Sequence, residues 1–312
     1  MLGLDDPNTR RPMTSILRQA LARGEAYLQH VADLPVQSLP DPREIRAHLE
    51  RYDFTEPVPS DELVDDVSRM LEAWAVHTVH PRYFGYFNPT PMEEAVAGEI
   101  LAAVHNPNLA VWSHGPSAVE IEQHVLRWLI GKLGLPADTT GAHFTSGGAE
   151  ANLTATLAAL TSRLPGYGDR GLAALGTRPT LYHSAGAHDS FTKICHMTGM
   201  GRDARRVVPV DADLRLDVGA LRARMEADRA EGLMPVMAVA TAGTTAAGIV
   251  DPLEEVAEVC RELGAWFHVD AAWGGATAPS IRSSPPSSGP AASSASSSSW
   301  RWRPGAPRAT RP

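Results

Sequence analysis

Residues 236–275 read VMAVATAGTTAAGIVDPLEEVAEVCRELGAWFHVDAAWGG, and this stretch decides the fold. Val236 to Thr241 is a short, mostly apolar run closed by a hydroxyl, which predicts a buried strand. A turn follows at Gly243-Thr244-Thr245, and Pro252 to Leu263 predicts a helix. Ala265 to Val269 is a second apolar strand, ending on Asp270. Strand, helix and strand at this spacing form a βαβ unit, in which a helical crossover leaves the two strands parallel. The alternation continues upstream, with strands expected at Thr180–His183 and Val207–Val210 and helices from about Asp189 and over Val218–Ala230. Further upstream, His143–Thr145 is expected to be a strand leading through a glycine turn into a helix over Ala149–Arg163. The predicted class is α/β, a mostly parallel sheet with helices on both faces.

The N-terminal part reads as helical. Ser15–Val31, Asp61–His77, Glu93–Val104 and Ser117–Leu133 carry helical spacing, with a Pro-rich connector at Pro35–Pro42. His80 to Pro89, HPRYFGYFNP, is aromatic and turn-rich and reads as a loop.

Composition bounds the function. The chain has 312 residues, 43% hydrophobic and 21% charged, which excludes a collagen, a wholly disordered chain and a small disulfide scaffold. A net charge of −8 argues against a nucleic-acid or anionic-membrane partner. Cys195 and Cys260 make neither a disulfide framework nor a metal cluster, so no metal is expected and a reducing compartment, the cytoplasm, fits. The start has no apolar signal region, and no run of 18 apolar residues suggests a membrane span.

The last 34 residues, Pro279–Pro312, differ in kind. They hold 11 Ser, 7 Pro and 5 Arg, and no acidic residue follows Asp270. Such a segment buries too little apolar surface to offset chain entropy, so a disordered tail is expected. The expected division is a helical segment with its aromatic loop at 1–90, a large domain at 91–278 and the tail at 279–312.

Four strand-end motifs carry chemistry. TSGGAEAN at 145–152 places glycines before a helix whose free N–H groups suit a phosphate, or it is a packed glycine turn. HSAGAHDS at 183–190 puts His188 just past a parallel strand, where an imidazole can stack on a planar ring or shuttle a proton. In TAGTT at 241–245 either Thr244 or Thr245 can hydrogen-bond a ligand, or cap a local turn. In HVDAAWGG at 268–275 a carboxylate, Asp270, closes an apolar strand, where burial is costly without a cationic partner, and Ala272 leaves room for something flat. A phosphorylated aromatic cation satisfies all four.

In this order and spacing, with HPRYFGYFNP, these motifs resemble the group II pyridoxal-phosphate decarboxylases, relatives of the aromatic-amino-acid, tyrosine and glutamate decarboxylases. The resemblance covers roughly Leu17 to Gly275. It implies a large domain of fold type I and pyridoxal 5'-phosphate as cofactor. By resemblance, Ser146, Gly147, Gly148 and Ala149 seat the phosphate, His188 stacks on one ring face and Ala272 closes the other. Asp270 pairs with the ring nitrogen, and Tyr86, Phe87 and Trp112 line a substrate cleft partly shared across a homodimer. The implied activity is decarboxylation of an L-amino acid. The alternatives are a non-catalytic remnant that binds cofactor weakly or only dimerises, and another fold type I enzyme, an aminotransferase or lyase.

The chain departs from the family at one decisive place. The family's catalytic lysine lies in an Asp-x-His-Lys segment downstream of the Asp270 motif, but the two lysines here, Lys132 and Lys193, lie in no such motif. The large domain is expected to be incomplete. The sequence reads as C-terminally truncated or frame-shifted after Ala276, and as inactive in this form.

Overall fold

The computed structural model describes residues 13–85 and 90–277. Tyr86, Phe87 and the predicted tail at 279–312 lie outside the described residues. The chain divides into two units between Asn106 and Pro107.

The first unit is helical: α1 (Met13–His30), α2 (Pro42–Leu49), α3 (Ser60–Trp74) and α4 (Glu93–His105). α1 is tied to α3 by Gln19, whose Nε2 donates to the Asp61 carbonyl at 2.9 Å and to Asp65 Oδ1 at 2.8 Å. Helix α2 was not expected from the Pro-rich connector. Its start has clear causes: Asp41 accepts from the Arg43 N–H at 2.9 Å, and Pro42 occupies a position that needs no N–H. Asp66 on α3 is buried and pairs with His48 Nε2 at 2.7 Å, which anchors α2.

The second unit contains α5 (Pro116–Leu133), α6 (Gly148–Arg163), α7 (Tyr167–Arg170), β1 (Pro179–Ser184) and α8 (Ser190–Met197). It continues with β2 (Arg205–Val208), α9 (Val218–Ala230), β3 (Met234–Thr241), α10 (Leu253–Leu263) and β4 (Trp266–Asp270). The strands form one sheet in the order β2-β1-β3-β4, with all pairings parallel. Register pairs Tyr182 with Ala238 and Thr241 with Asp270.

Side chains alternate along β3 and build two cores. Met237 and Val239 join Leu160 of α6 and Phe191, Ile194 and Cys195 of α8. Ala238 and Ala240 join Leu221 and Met225 of α9 and Val256, Val259 and Cys260 of α10. Helices therefore cover both faces, as the spacing predicts. In the second core the Tyr182 hydroxyl donates to Asp228 Oδ2 at 2.6 Å. The same carboxylate accepts from Arg206 Nε at 2.9 Å and Arg224 Nε at 3.1 Å, which supplies the partners its burial requires.

The expected strand at His143–Thr145 is absent. These residues pair with no strand among the described residues, and Phe144 is exposed, so the run has no apolar face to bury. β2 begins two residues earlier than expected, at Arg205, whereas α9 has the expected ends. Asp217 caps α9 by accepting from the Ala220 N–H at 2.9 Å.

Candidate functional site

Parallel strands bring their C-terminal ends to one edge, where β1 stops at Ser184, β3 at Thr241 and β4 at Asp270. The glycine loop delivers the N-terminus of α6 to the end of β4. Between them lies a cleft of about 380 Å³, lined mainly by Thr145, Gly147, Gly148, Asn152, His268, Asp270 and Ala272.

Gly148 permits the close approach of loop and strand end: a Cβ there would stand 2.9 Å from that of Ala272. The opening turn of α6 offers N–H groups without intrahelical acceptors, together with the positive end of the helix dipole. The loop already holds an anionic oxygen. Glu150 Oε2 accepts from the Ser146 hydroxyl at 2.6 Å and the Ser146 N–H at 2.7 Å, and these two bonds lower the Glu150 pKa.

Asp270 is buried at 6% exposure, and both its oxygens are engaged. Oδ2 accepts from Asn152 Nδ2 at 2.9 Å, and Oδ1 accepts from the Ala272 N–H at 3.2 Å. Asn152 also contacts His268, Oδ1 to Nε2 at 2.8 Å. Burial pushes the His268 pKa down to about 4, with the nearby Asp270 charge opposing the shift. Thr241 Oγ1, across the register from Asp270, is buried without a hydrogen-bond partner.

The loop after β3 is locked from two sides. Gly243 has φ +100°, and a Cβ there would run into the Trp273 ring. Asp251 is buried and accepts from the N–H groups of Thr241 and Leu216, each at 2.8 Å. Burial raises its pKa.

Gly147, Gly148, Asp270 and Ala272 thus share one cleft, with Ser146 and Ala149 flanking them in the α6 entry. Other expected residues do not line it. His188 is exposed past β1, and its Nδ1 accepts from the Ser190 N–H at 3.1 Å. Thr244 is buried, but its hydroxyl accepts from the Ile249 N–H at 3.1 Å and closes a loop. Thr245 is exposed. Trp112 is 59% exposed and donates from Nε1 to Glu120 Oε1 at 3.0 Å. Tyr86 and Phe87 lie outside the described residues.

Sequence reasoning passed over Asn152, His268 and Thr145, which line the cleft, and Thr241 at its edge. Periodicity held the signal for two of them. Asn152 is one helical turn past Gly148, and His268 is two residues before Asp270 on a strand, so each shares a face with a residue already singled out.

Residues 42–302 match the pyridoxal-dependent decarboxylase conserved domain. The chain belongs to that family. Pyridoxal phosphate is the decarboxylase family's cofactor. Tryptophan decarboxylase 1 of Oryza sativa subsp. japonica is 32% identical over 273 residues, which is 84% of this chain and 53% of that protein. L-2,4-diaminobutyrate decarboxylase of Rhizobium meliloti is 37% identical over 210 residues, 67% of this chain and 41% of that protein. The crystal structure of Oryza sativa TDC with PLP superposes with a TM-score of 0.78 at 30% identity, covering 87% of this chain and 60% of that one. This chain spans about half the length of the curated relatives it matches.

The donor set fits the decarboxylase cofactor. The opening turn of α6 offers backbone N–H groups that suit a phosphate, whereas the Ser146 hydroxyl and N–H already donate to Glu150. Two protein hydrogen bonds fix the Asp270 carboxylate at the strand end, and a carboxylate is the group that pairs with a protonated ring nitrogen. Thr241 Oγ1 is a spare polar atom on the same sheet face. Among the described residues, no group of three or more His, Cys, Asp or Glu side chains is placed to hold a metal ion, and no helix is long and apolar enough to cross a membrane.

Proposed function

We propose that this chain holds pyridoxal 5'-phosphate in the cleft beside Asp270 and serves an enzyme that removes the α-carboxylate of an L-amino acid. One observation carries the reading: a buried carboxylate with two protein donors stands against a glycine loop at a helix N-terminus. Gly147, Gly148 and Ala149 offer backbone N–H groups to the phosphate, and Ser146 adds its hydroxyl by exchanging its bond to Glu150 for one to the phosphate. Asp270 holds a proton on the ring nitrogen. Ala272 gives one ring face a small neighbour. When bound, the cofactor supplies an electron-withdrawing ring that accepts the electron pair left as carbon dioxide departs.

This reading assigns His188 to the other ring face, which requires the imidazole to leave the Ser190 N–H and turn into the cleft, and assigns Thr244 and Thr245 to the cofactor as well. Tyr86, Phe87 and Trp112 are assigned to the amino-acid substrate in this reading, and the intact enzyme to a cytoplasmic homodimer. The relatives named act on chemically different amino acids, an aromatic one and a diamino acid, so the proposal stops at the L-amino-acid class.

The 312 residues do not supply a covalent anchor at the cleft. Lys132 lies on α5 with its Nζ 5.4 Å from the Trp128 ring centroid, and Lys193 is exposed on α8. Neither lines the cleft. We therefore propose that this chain binds the cofactor without a covalent link and does not decarboxylate by itself.

Equilibrium dialysis of the full chain with pyridoxal phosphate, followed by borohydride reduction, tests both parts. Saturable binding is expected, weakened roughly 100-fold by Asp270→Asn, since a buried charge-assisted bond contributes a few kcal/mol. No pyridoxyl group should be fixed to lysine. Equal affinity in the variant removes Asp270 from the site, and reduction onto Lys193 or Lys132 refutes the noncovalent reading.

A further inference from the structure

The Asp270 carboxylate is the end of a longer chain of hydrogen bonds. Asn152 is 3% exposed, and its Nδ2 serves two acceptors, Asp270 Oδ2 at 2.9 Å and Ser190 Oγ at 3.2 Å. That arrangement leaves Oδ1 facing His268 Nε2 at 2.8 Å. An amide oxygen only accepts, so His268 must carry its proton on Nε2. Burial keeps this imidazole neutral at ordinary pH. The ring is steadied by Phe191, edge to face at 6.2 Å between centroids.

We propose that Asn152 and His268 are positioning residues, a relay that fixes the Asp270 carboxylate in one orientation for the ring nitrogen of the cofactor. The inference rests on the proposed pairing of Asp270 with that nitrogen. The geometry gives each member a distinct task. His268 donates to the amide oxygen and so decides which way the Asn152 amide points. Asn152 in turn presents an N–H to Asp270, which holds the carboxylate plane. Asn152 stands on α6, one turn beyond Gly148, so the helix that offers its amides to the phosphate also orients the group at the far end of the ring. Two contacts on one rigid element thereby set the spacing between the phosphate seat and the carboxylate.

The test compares two probes on the full chain: pyridoxal 5'-phosphate and its 1-deaza analogue, in which carbon replaces the ring nitrogen. The unaltered chain should prefer the natural cofactor by at least about tenfold, the worth of one charge-assisted hydrogen bond. Asn152→Ala and His268→Phe should each lose most of that preference, the natural cofactor being weakened far more than the deaza analogue. His268→Gln should keep it, because its amide N–H can still reach Asn152 Oδ1. A merely structural role would weaken both probes alike, and that outcome overturns the relay. So does a preference that survives in Asn152→Ala or His268→Phe, or a Gln variant that behaves like Phe. Thermal unfolding identifies any variant that fails to fold, and the other then carries the test. Asp270→Asn separates the two levels of the argument. Preference lost there but kept in the relay variants overturns the relay alone, and no preference in the unaltered chain overturns the Asp270 pairing and the relay with it.

Discussion

Gly148 and Ala272 are in contact: a Cβ added to the glycine would stand 2.9 Å from the Cβ of the alanine, closer than two carbons sit without displacement. The helix that opens at Gly148 and the strand end that carries Asp270 are therefore spaced by the absence of one methyl group.

That spacing can be tested by removing the methyl from the other side. Gly148→Ala should weaken pyridoxal phosphate binding about tenfold, because overpacking costs ~1–3 kcal/mol. Ala272→Gly in the same chain should restore most of the loss, measured by dialysis, since the two positions share one contact. A double variant no better than Gly148→Ala would mean that the contact is not what limits the site.

The Asp228 cluster should dominate the stability of the second unit. Asp228 is 1% exposed and bonds Tyr182, Arg206 and Arg224. Asp228→Ala leaves the partly buried Arg206 without its carboxylate and should cost about 3 kcal/mol in urea unfolding. Tyr182→Phe should cost about 1 kcal/mol, the loss of one hydroxyl bond. Losses under about 0.5 kcal/mol for both would show that the cluster adds little.

Acid should destabilise the fold through two buried histidines. Burial lowers the pKa of His268 from 6.5 to about 4, and it lowers that of His183 as well. A group depressed in the folded state binds protons first in the unfolded one. Its contribution is therefore complete above pH 6.5 and is lost progressively as pH falls towards the folded value. Urea midpoints should drop across that window, and His268→Gln should flatten the slope. An unchanged slope in the variant would assign the acid sensitivity elsewhere.

Both thiols should be silent in the folded chain. Burial pushes Cys195 up to about 11 and Cys260 up to about 12. A disulfide-exchange reagent at mildly alkaline pH should label neither until urea is added, since the thiolate is the reacting form. Rapid labelling of the native chain would show that one core is open.

The parallel sheet was legible because its strands are apolar runs separated by helices of regular period, and because Asp270 is conspicuous at the end of one. Helix α2 was not, since the prolines around it dominate the local reading although Asp41 and Pro42 form a good helix start. The stretch His143–Thr145 looked like a strand by composition, but a strand exists only where another pairs with it. Gly148 and Asp270 stand out in the sequence as individual residues. The contact between Gly148 and Ala272 and the bond from Asn152 to Asp270 do not, because the latter joins positions 118 residues apart and only the folded chain brings them together. The motifs point to His188 and Thr244, and the structure engages both in local turns beside Ser190 and Ile249.

The central claim is that Asp270 holds a proton on the ring nitrogen of pyridoxal phosphate. The nitrogen-15 shift of ring-labelled cofactor bound to the full chain reports that proton directly. The account predicts a pyridinium signal at neutral pH in the unaltered chain and a neutral pyridine signal in Asp270→Asn. A neutral pyridine signal in the unaltered chain would contradict it.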